Sequence, residues 1–301
     1  LSIDLTAQST MRHVLSGGMK LMQAKGAAAV LMDARTGEIL SMASLPDFDP
    51  NNRPLPPVTG DSSQSPLFNR AAQGVYELGS TFKLFAAAAS LERGLVDLDT
   101  MIDTTGPMRY GRFRIRDFHN LGPELSVRDV IVKSSNVGTA RMALAAGGSV
   151  QQSILDDLGF FKPVPVELGE AAQALPLFPK KWSEISTMTI SYGHGIAATP
   201  LHLAAAYCTL VNGGFRVTPT LLKQNGLRPD AEQVISAKTS DQMRELLRAV
   251  VVRGTASMGE VQGYEVGGKT GTANKPDPKR GYYQDRVIAT FAGAFPMSDP
   301  K

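Results

Sequence analysis

The chain has 301 residues, of which 43% are hydrophobic, 20% charged and 7% aromatic, a globular composition long enough to bury a sizeable core. Its net charge of +3 is small and spread along the chain, which argues against a nucleic-acid partner. The single cysteine, Cys208, excludes an internal disulfide, and no apolar run approaches the ~20 residues of a membrane span.

Residues 2–26 read as a helix, with Asp4 or Thr6 as N-cap and Gly17-Gly18 as an interruption. Residues 27–45 hold two apolar runs around Ala34-Arg35-Thr36-Gly37, the pattern of a β-hairpin. Residues 46–67 are rich in Pro, Asp and Ser and read as a long loop. The following stretch is mostly helical. Helices are expected over 80–94, over 126–148 behind a Ser126/Asp129 capping pattern, over 199–214 behind Thr199-Pro200, and over 236–254. The basic stretch "RYGRFRIR" (109–116) reads as a solvated strand edge. Strand patterns return at 264–274 and 286–295. The order predicts an α+β fold: an antiparallel sheet, about residues 1–60 and 261–301, divided by an inserted helical lobe at about 61–260. Leu1 is not an initiator Met and the chain stops just after a strand-like run, so both ends read as cut from something longer.

Three short motifs carry chemistry. Ser80-Thr81-Phe82-Lys83 follows Gly79 and opens a helix, so free N–H groups and the helix dipole favour negative charge developing at Ser80. Residues three apart share a helix face, which brings Lys83 within reach of the Ser80 hydroxyl. Lysine is a poor base at its ordinary pKa of ~10.4, but burial and a second cation can depress it. Taken alone, Ser80 reads more simply as a helix cap. Ser134-Ser135-Asn136 is the only S-x-N in the chain and is expected at a short break or helix start. There a second hydroxyl can relay a proton, and the Asn136 amide can orient a lysine and a substrate backbone. Lys269-Thr270-Gly271-Thr272 reads as a strand on which a thin Gly271 lets a peptide approach, with the Thr hydroxyls and Lys269 suited to a terminal carboxylate.

The same residues also fit the phosphate-loop pattern G-x-x-x-x-G-K-T from Gly263. That reading needs a helix at Lys269, and "GTANKPDPKRG" cannot begin one. No G-x-S-x-G or H-E-x-x-H occurs, and the four histidines lack metal-ligand spacing. His119 and His194 read as structural residues.

Taken together, the three motifs and the longer stretches "DARTGEILSMASLPDFDPNN", "YELGSTFK", "LSVRDVIVKSSNVGTARMAL", "SYGHGIAATPLHLAAAY", "VGGKTGTANK" and "VIATFAGAFP" make the whole chain resemble the transpeptidase domain of class B penicillin-binding proteins of the septal type. The resemblance implies a β-lactamase/transpeptidase-like fold and a serine D,D-transpeptidase. Its substrates would be peptidoglycan stem peptides ending in D-Ala-D-Ala, with β-lactams as inhibitors and no metal or nucleotide cofactor. It implies Ser80 as nucleophile, Lys83 as general base, Ser134 and Asn136 as the second element, and Lys269, Thr270, Gly271 and Thr272 as the wall strand. The Ser80 and Thr272 amides would form the oxyanion hole. It further implies an N-terminal anchor in the bacterial inner membrane, a periplasmic location, and a glycan polymerase and division proteins as partners. Two departures stand out. Leu78 occupies a position where relatives often carry Pro, which loosens that turn. The family's sheet has one more strand and a closing helix after "AFP", so this chain is expected to be less stable than a complete domain. Rival expectations are a serine β-lactamase, although the class A pattern E-x-x-L-N is absent, and a β-lactam-sensing domain.

Overall fold

A computed structural model describes residues 1–224, 231–277, 279 and 281–301. The expected helical lobe therefore contains a stretch, 225–230, that lies outside the described residues.

Helix α1 (Leu5–Leu21) is capped by Asp4, whose carboxylate accepts from the Ala7 amide. It runs unbroken through Gly17-Gly18, so the expected interruption is absent. Strands β1 (Ala27–Met32) and β2 (Ile39–Leu45) form the expected hairpin. A long irregular segment follows, held by the buried Arg70 guanidinium, which donates to the carbonyls of Ser63, Ser65 and Phe68.

The helical part begins with a tight 3-10 turn, Gly79–Phe82, leading into α2 (Lys83–Glu92). Every α2 residue except Glu92 is buried, so this helix is apolar all round. Phe82 and Phe85 meet Phe160 at 5.0 Å, and Phe85 meets Tyr207 at 5.8 Å edge to face. Such rings are worth about 0.5–1.5 kcal/mol per pair beyond their area. Tyr207 also donates to the Thr81 carbonyl at 2.9 Å, which ties the turn to the core.

Short strands β3 (Met101–Asp103), β4 (Met108–Tyr110), β5 (Phe113–Ile115) and β6 (Glu124–Ser126) follow. The basic stretch forms the β4–β5 hairpin with exposed arginines, while Ile115 turns inward. Helices α3 (Val127–Val132) and α4 (Asn136–Ala146) occupy the expected helical stretch, separated at Lys133–Ser135 by the break expected at the Ser134-Ser135-Asn136 motif. Then come α5 (Gly148–Asp157), α6 (Glu184–Ser191), α7 (Pro200–Val211) and α8 (Ala237–Arg253). Thr199 caps α7 in a capping box closed by His202.

Strands β7 (Gly267–Asp277) and β8 (Gly281–Ala294) pair antiparallel at the end of the chain. Helix α8 packs on β7, and α7 packs on β1 and β8. This arrangement of helices with antiparallel strands is the expected α+β architecture. The difference lies in the sheet. Among the described residues, β1–β2 and β7–β8 are two separate two-stranded pieces with no hydrogen bonds joining them. A strand pattern predicts strands but not their partners, because pairing is set by contacts distant in sequence.

Candidate active site

The site forms where the 3-10 turn, the α3–α4 break and β7 converge. Ser80 and Lys269 lie 189 positions apart in the chain.

Gly79 sits at φ +58, and a side chain there would meet the Thr272 carbonyl oxygen at 2.6 Å. The turn therefore lies directly against β7. The buried Leu78 begins the turn, and its carbonyl accepts from the Thr81 hydroxyl at 3.0 Å. Ser80 stands partly exposed in the first turn ahead of α2. The Lys83 amide donates to the Ser80 carbonyl, and among the described residues no hydrogen bond joins the Ser80 hydroxyl to Lys83 Nζ.

Lys83 is only 1% exposed, and its Nζ donates to the Ser134 carbonyl at 2.6 Å and to Ser134 Oγ at 3.0 Å. Lys269 is fully buried, and its Nζ donates to the same Ser134 Oγ at 3.0 Å and to the Thr270 carbonyl at 3.0 Å. One hydroxyl thus bridges two lysines. Burial, then the Lys269 charge, hold Lys83 well below the usual lysine range, with Asp117 opposing them. Burial also pushes Lys269 down to about 8. Lys83 is the lysine readied to be neutral, and Lys269 retains more of its charge at neutral pH.

Ser134 is held in the left-handed region at φ +60, uncommon for a residue with a side chain. That conformation aims both its carbonyl and its hydroxyl at Lys83. Asp117 clamps the three residues that follow Ser134. One carboxylate oxygen accepts from Ser135 Oγ at 2.7 Å, and the other accepts from the amides of Asn136 at 2.5 Å and Val137 at 3.1 Å. These amides open α4, where an anion is favoured by the helix dipole. The Asn136 side chain does not reach Lys83. Its Nδ2 donates to the Arg116 carbonyl at 3.0 Å, so Asn136 also fastens the break to the 116–117 segment.

Along β7 the alternation is as expected: Lys269, Gly271 and Ala273 are buried, while Thr270 and Thr272 turn outward. Gly271 also has a role the sequence did not show: a side chain there would meet the Leu78 carbonyl oxygen at 2.3 Å, so the glycine makes room for the protein's own turn. Thr255, after α8, shares a hydrogen bond of 2.9 Å with Thr270 and lies 3.5 Å from Lys269 Nζ. The strand at Lys269 removes the phosphate-loop reading, which requires a helix there.

Asp117 and Thr255 were not visible as site residues in the sequence. Only Asp117 left a trace: it is the lone acid at the end of an otherwise basic stretch.

Comparison with known proteins agrees with this geometry. The family model described as the penicillin binding protein transpeptidase domain matches residues 27–301. The probable peptidoglycan D,D-transpeptidase FtsI of Caulobacter vibrioides is 39% identical over 305 residues, covering 100% of this chain and 50% of that protein. The peptidoglycan D,D-transpeptidase FtsI of Escherichia coli K12 is 32% identical over 304 residues, with the same coverage. The chain spans about half the length of these curated relatives. Among solved structures, the apo transpeptidase domain of Burkholderia pseudomallei penicillin-binding protein 3 superposes with a TM-score of 0.87 at 31% identity, covering 100% of this chain and 85% of that one. Penicillin-binding protein 3 of Mycobacterium tuberculosis, complexed with aztreonam, gives a TM-score of 0.87 at 30% identity, covering 99% of this chain and 70% of that one.

Proposed function

Since the chain belongs to the penicillin-binding protein transpeptidase family, we propose that it carries the catalytic machinery of a peptidoglycan D,D-transpeptidase. The observation that carries the proposal is the buried pair Lys83 and Lys269 bridged by Ser134, placed beside a partly exposed serine at the start of a helix.

The chemistry follows from the environments. Ser80 attacks the penultimate carbonyl of a stem peptide ending in D-Ala-D-Ala. Its proton passes to Lys83, which is able to accept it because burial and the neighbouring charge favour the neutral amine. Ser134 passes a proton on to the leaving D-alanine nitrogen. The amides of Ser80 and Thr272 stabilise the oxyanion, a role supported by the close approach of Gly79 to Thr272. The residual charge of Lys269, with Thr270 and Thr272, suits the terminal carboxylate. Asn136 braces the second element and presents its amide edge to the substrate. An amine from a second stem then releases the acyl group from Ser80. A β-lactam presents the same carbonyl to Ser80 and remains attached.

A role in septal wall synthesis belongs to the same proposal. So do anchoring at the periplasmic face of the inner membrane and partnership with a glycan polymerase and division proteins. Their support is the FtsI name of the relatives. Intact mass after incubation with a penicillin is expected to show one lasting adduct that maps to Ser80 and is lost in Ser80→Ala. A folded chain that takes no adduct refutes the proposal, and rapid turnover instead of a lasting adduct would mark a β-lactamase.

A further inference from the structure

Glu77 lies three residues before Ser80 and is 7% exposed. Its Oε1 accepts from the Gly195 amide at 2.8 Å and from the Tyr282 hydroxyl at 3.0 Å. Its Oε2 is buried and has no hydrogen-bond partner. A buried carboxylate oxygen without a donor is costly, about 1–3 kcal/mol or more, and calls for an explanation. Nδ1 of His194 lies 3.6 Å from Oε2. His194 is held by rings on two sides, Tyr192 at 5.4 Å and Tyr282 at 5.6 Å. Its neighbour Gly193 lies against the backbone of Gly79, where an added side chain would meet the Gly79 carbonyl oxygen at 2.1 Å. The imidazole therefore stands beside the nucleophile turn, with Nδ1 turned to a carboxylate and no protein hydrogen bond at Nε2 among the described residues.

We propose that His194 is the general base that takes the proton from the incoming acceptor amine, and that Glu77 is the positioning residue behind it. This rests on the transpeptidase reading above. Lys83 and Ser134 are engaged with each other on the buried side of the site, whereas an acceptor ammonium arrives after D-alanine has left and must lose a proton before it can attack. Nε2 takes that proton. The freed nitrogen lone pair attacks the acyl carbon, and the bond from that carbon to Ser80 Oγ breaks as the amide forms; the second proton that the nitrogen then loses passes by Ser134 and Lys83 to Ser80 Oγ. The imidazolium brings its Nδ1–H towards Oε2, which supplies the missing donor, and then releases the Nε2 proton to solvent. The dyad has the base-and-orienter layout of other hydrolytic and acyl-transfer sites.

Electrostatics agree with this assignment. Burial, then the Lys83 charge, lower the His194 pKa, which keeps the ring neutral and able to accept at pH 7. Burial raises the Glu77 pKa. The other titratable groups facing the pair, Tyr192 and Tyr282, are pushed up and stay neutral.

The test is a partition measurement on the 301-residue chain. A D-alanyl thioester donor acylates Ser80, D-alanine serves as acceptor, and the ratio of aminolysis to hydrolysis products is read from pH 5 to 9. That ratio is independent of how much enzyme is folded or acylated. His194→Asn is expected to lower the ratio at pH 7 by about a hundredfold, the lower end of general-base catalysis, and to abolish its rise through the histidine range. Glu77→Gln is expected to shift that rise and lower the ratio less. An unchanged ratio and pH profile in His194→Asn overturns the proposal. A wild-type chain that forms no acyl-enzyme overturns the transpeptidase reading and this inference with it.

Discussion

Replacing Gly271 with alanine tests how the site is assembled. The added methyl carbon would lie 2.3 Å from the Leu78 carbonyl oxygen and 3.1 Å from Thr81 Cγ2. An ordinary carbon–oxygen contact is about 3.3–3.6 Å, so roughly 1 Å of separation must be found. The obstruction is backbone at the start of the nucleophile turn, and that turn is itself fixed by Tyr207 and the Phe82–Phe85–Phe160 cluster. It cannot yield as a flexible side chain would. Overpacking of this kind costs about 1–3 kcal/mol, and the upper half of that range is expected here. At roughly 2–4 °C per kcal/mol, the melting temperature should fall by several degrees. The functional loss should be larger, because moving the Ser80 turn about 1 Å from β7 disturbs both the nucleophile and the Thr272 amide, and such misplacement costs about a hundredfold. The assay is the second-order rate of Ser80 acylation by a fluorescent penicillin, measured beside the melting curve. An alanine variant that acylates within twofold of wild type at an unchanged melting temperature would refute the claim that the glycine serves the turn–strand contact.

Two substitutions should move the pH profile of acylation in opposite directions. Lys269→Met removes the charge that depresses Lys83, so the rising limb should shift to higher pH. Asp117→Asn removes a charge that raises Lys83, so the limb should shift to lower pH. Shifts of the same sign would contradict the electrostatic account. Lys269 also carries a stability signature. Its folded value of about 8 lies below the ordinary lysine value, so the unfolded chain holds the extra proton between those two values. Its contribution to stability should therefore rise as pH climbs from about 8 towards 10.5, and Lys269→Met should remove that rise in denaturant titrations. Asp117→Ala should cost about 2–3 kcal/mol through the loss of three hydrogen bonds to one carboxylate, and should slow acylation because the residues that follow Ser134 lose their clamp. Thr255→Val should slow acylation several-fold with a melting temperature close to wild type, since the hydroxyl orients Thr270 and Lys269 from an exposed position; an unchanged rate would remove Thr255 from the site.

Much of the architecture was legible because it is local. Asp4, Ser126 and Thr199 cap helices through contacts three residues away, and the apolar spacing of α2 and α7 marks them as buried. The three motifs were also legible, since each carries its residue types within four positions of chain. Gly17-Gly18 misled because two glycines weaken a helix without breaking it when the flanking residues favour one. The bond from Asn136 Nδ2 to the Arg116 carbonyl joins segments that no local pattern could pair.

By itself, the sequence determined the chemistry-bearing side chains, their order, and the helix start beside Ser80. Only the tertiary structure decided which of them meet. The bridging of Lys83 and Lys269 by Ser134, the clamping of the residues after Ser134 by Asp117, the seating of Gly271 on Leu78 and the Glu77–His194 pair all join segments far apart in the chain. Their geometry depends on packing, and so does the burial that holds both lysines below the ordinary lysine range.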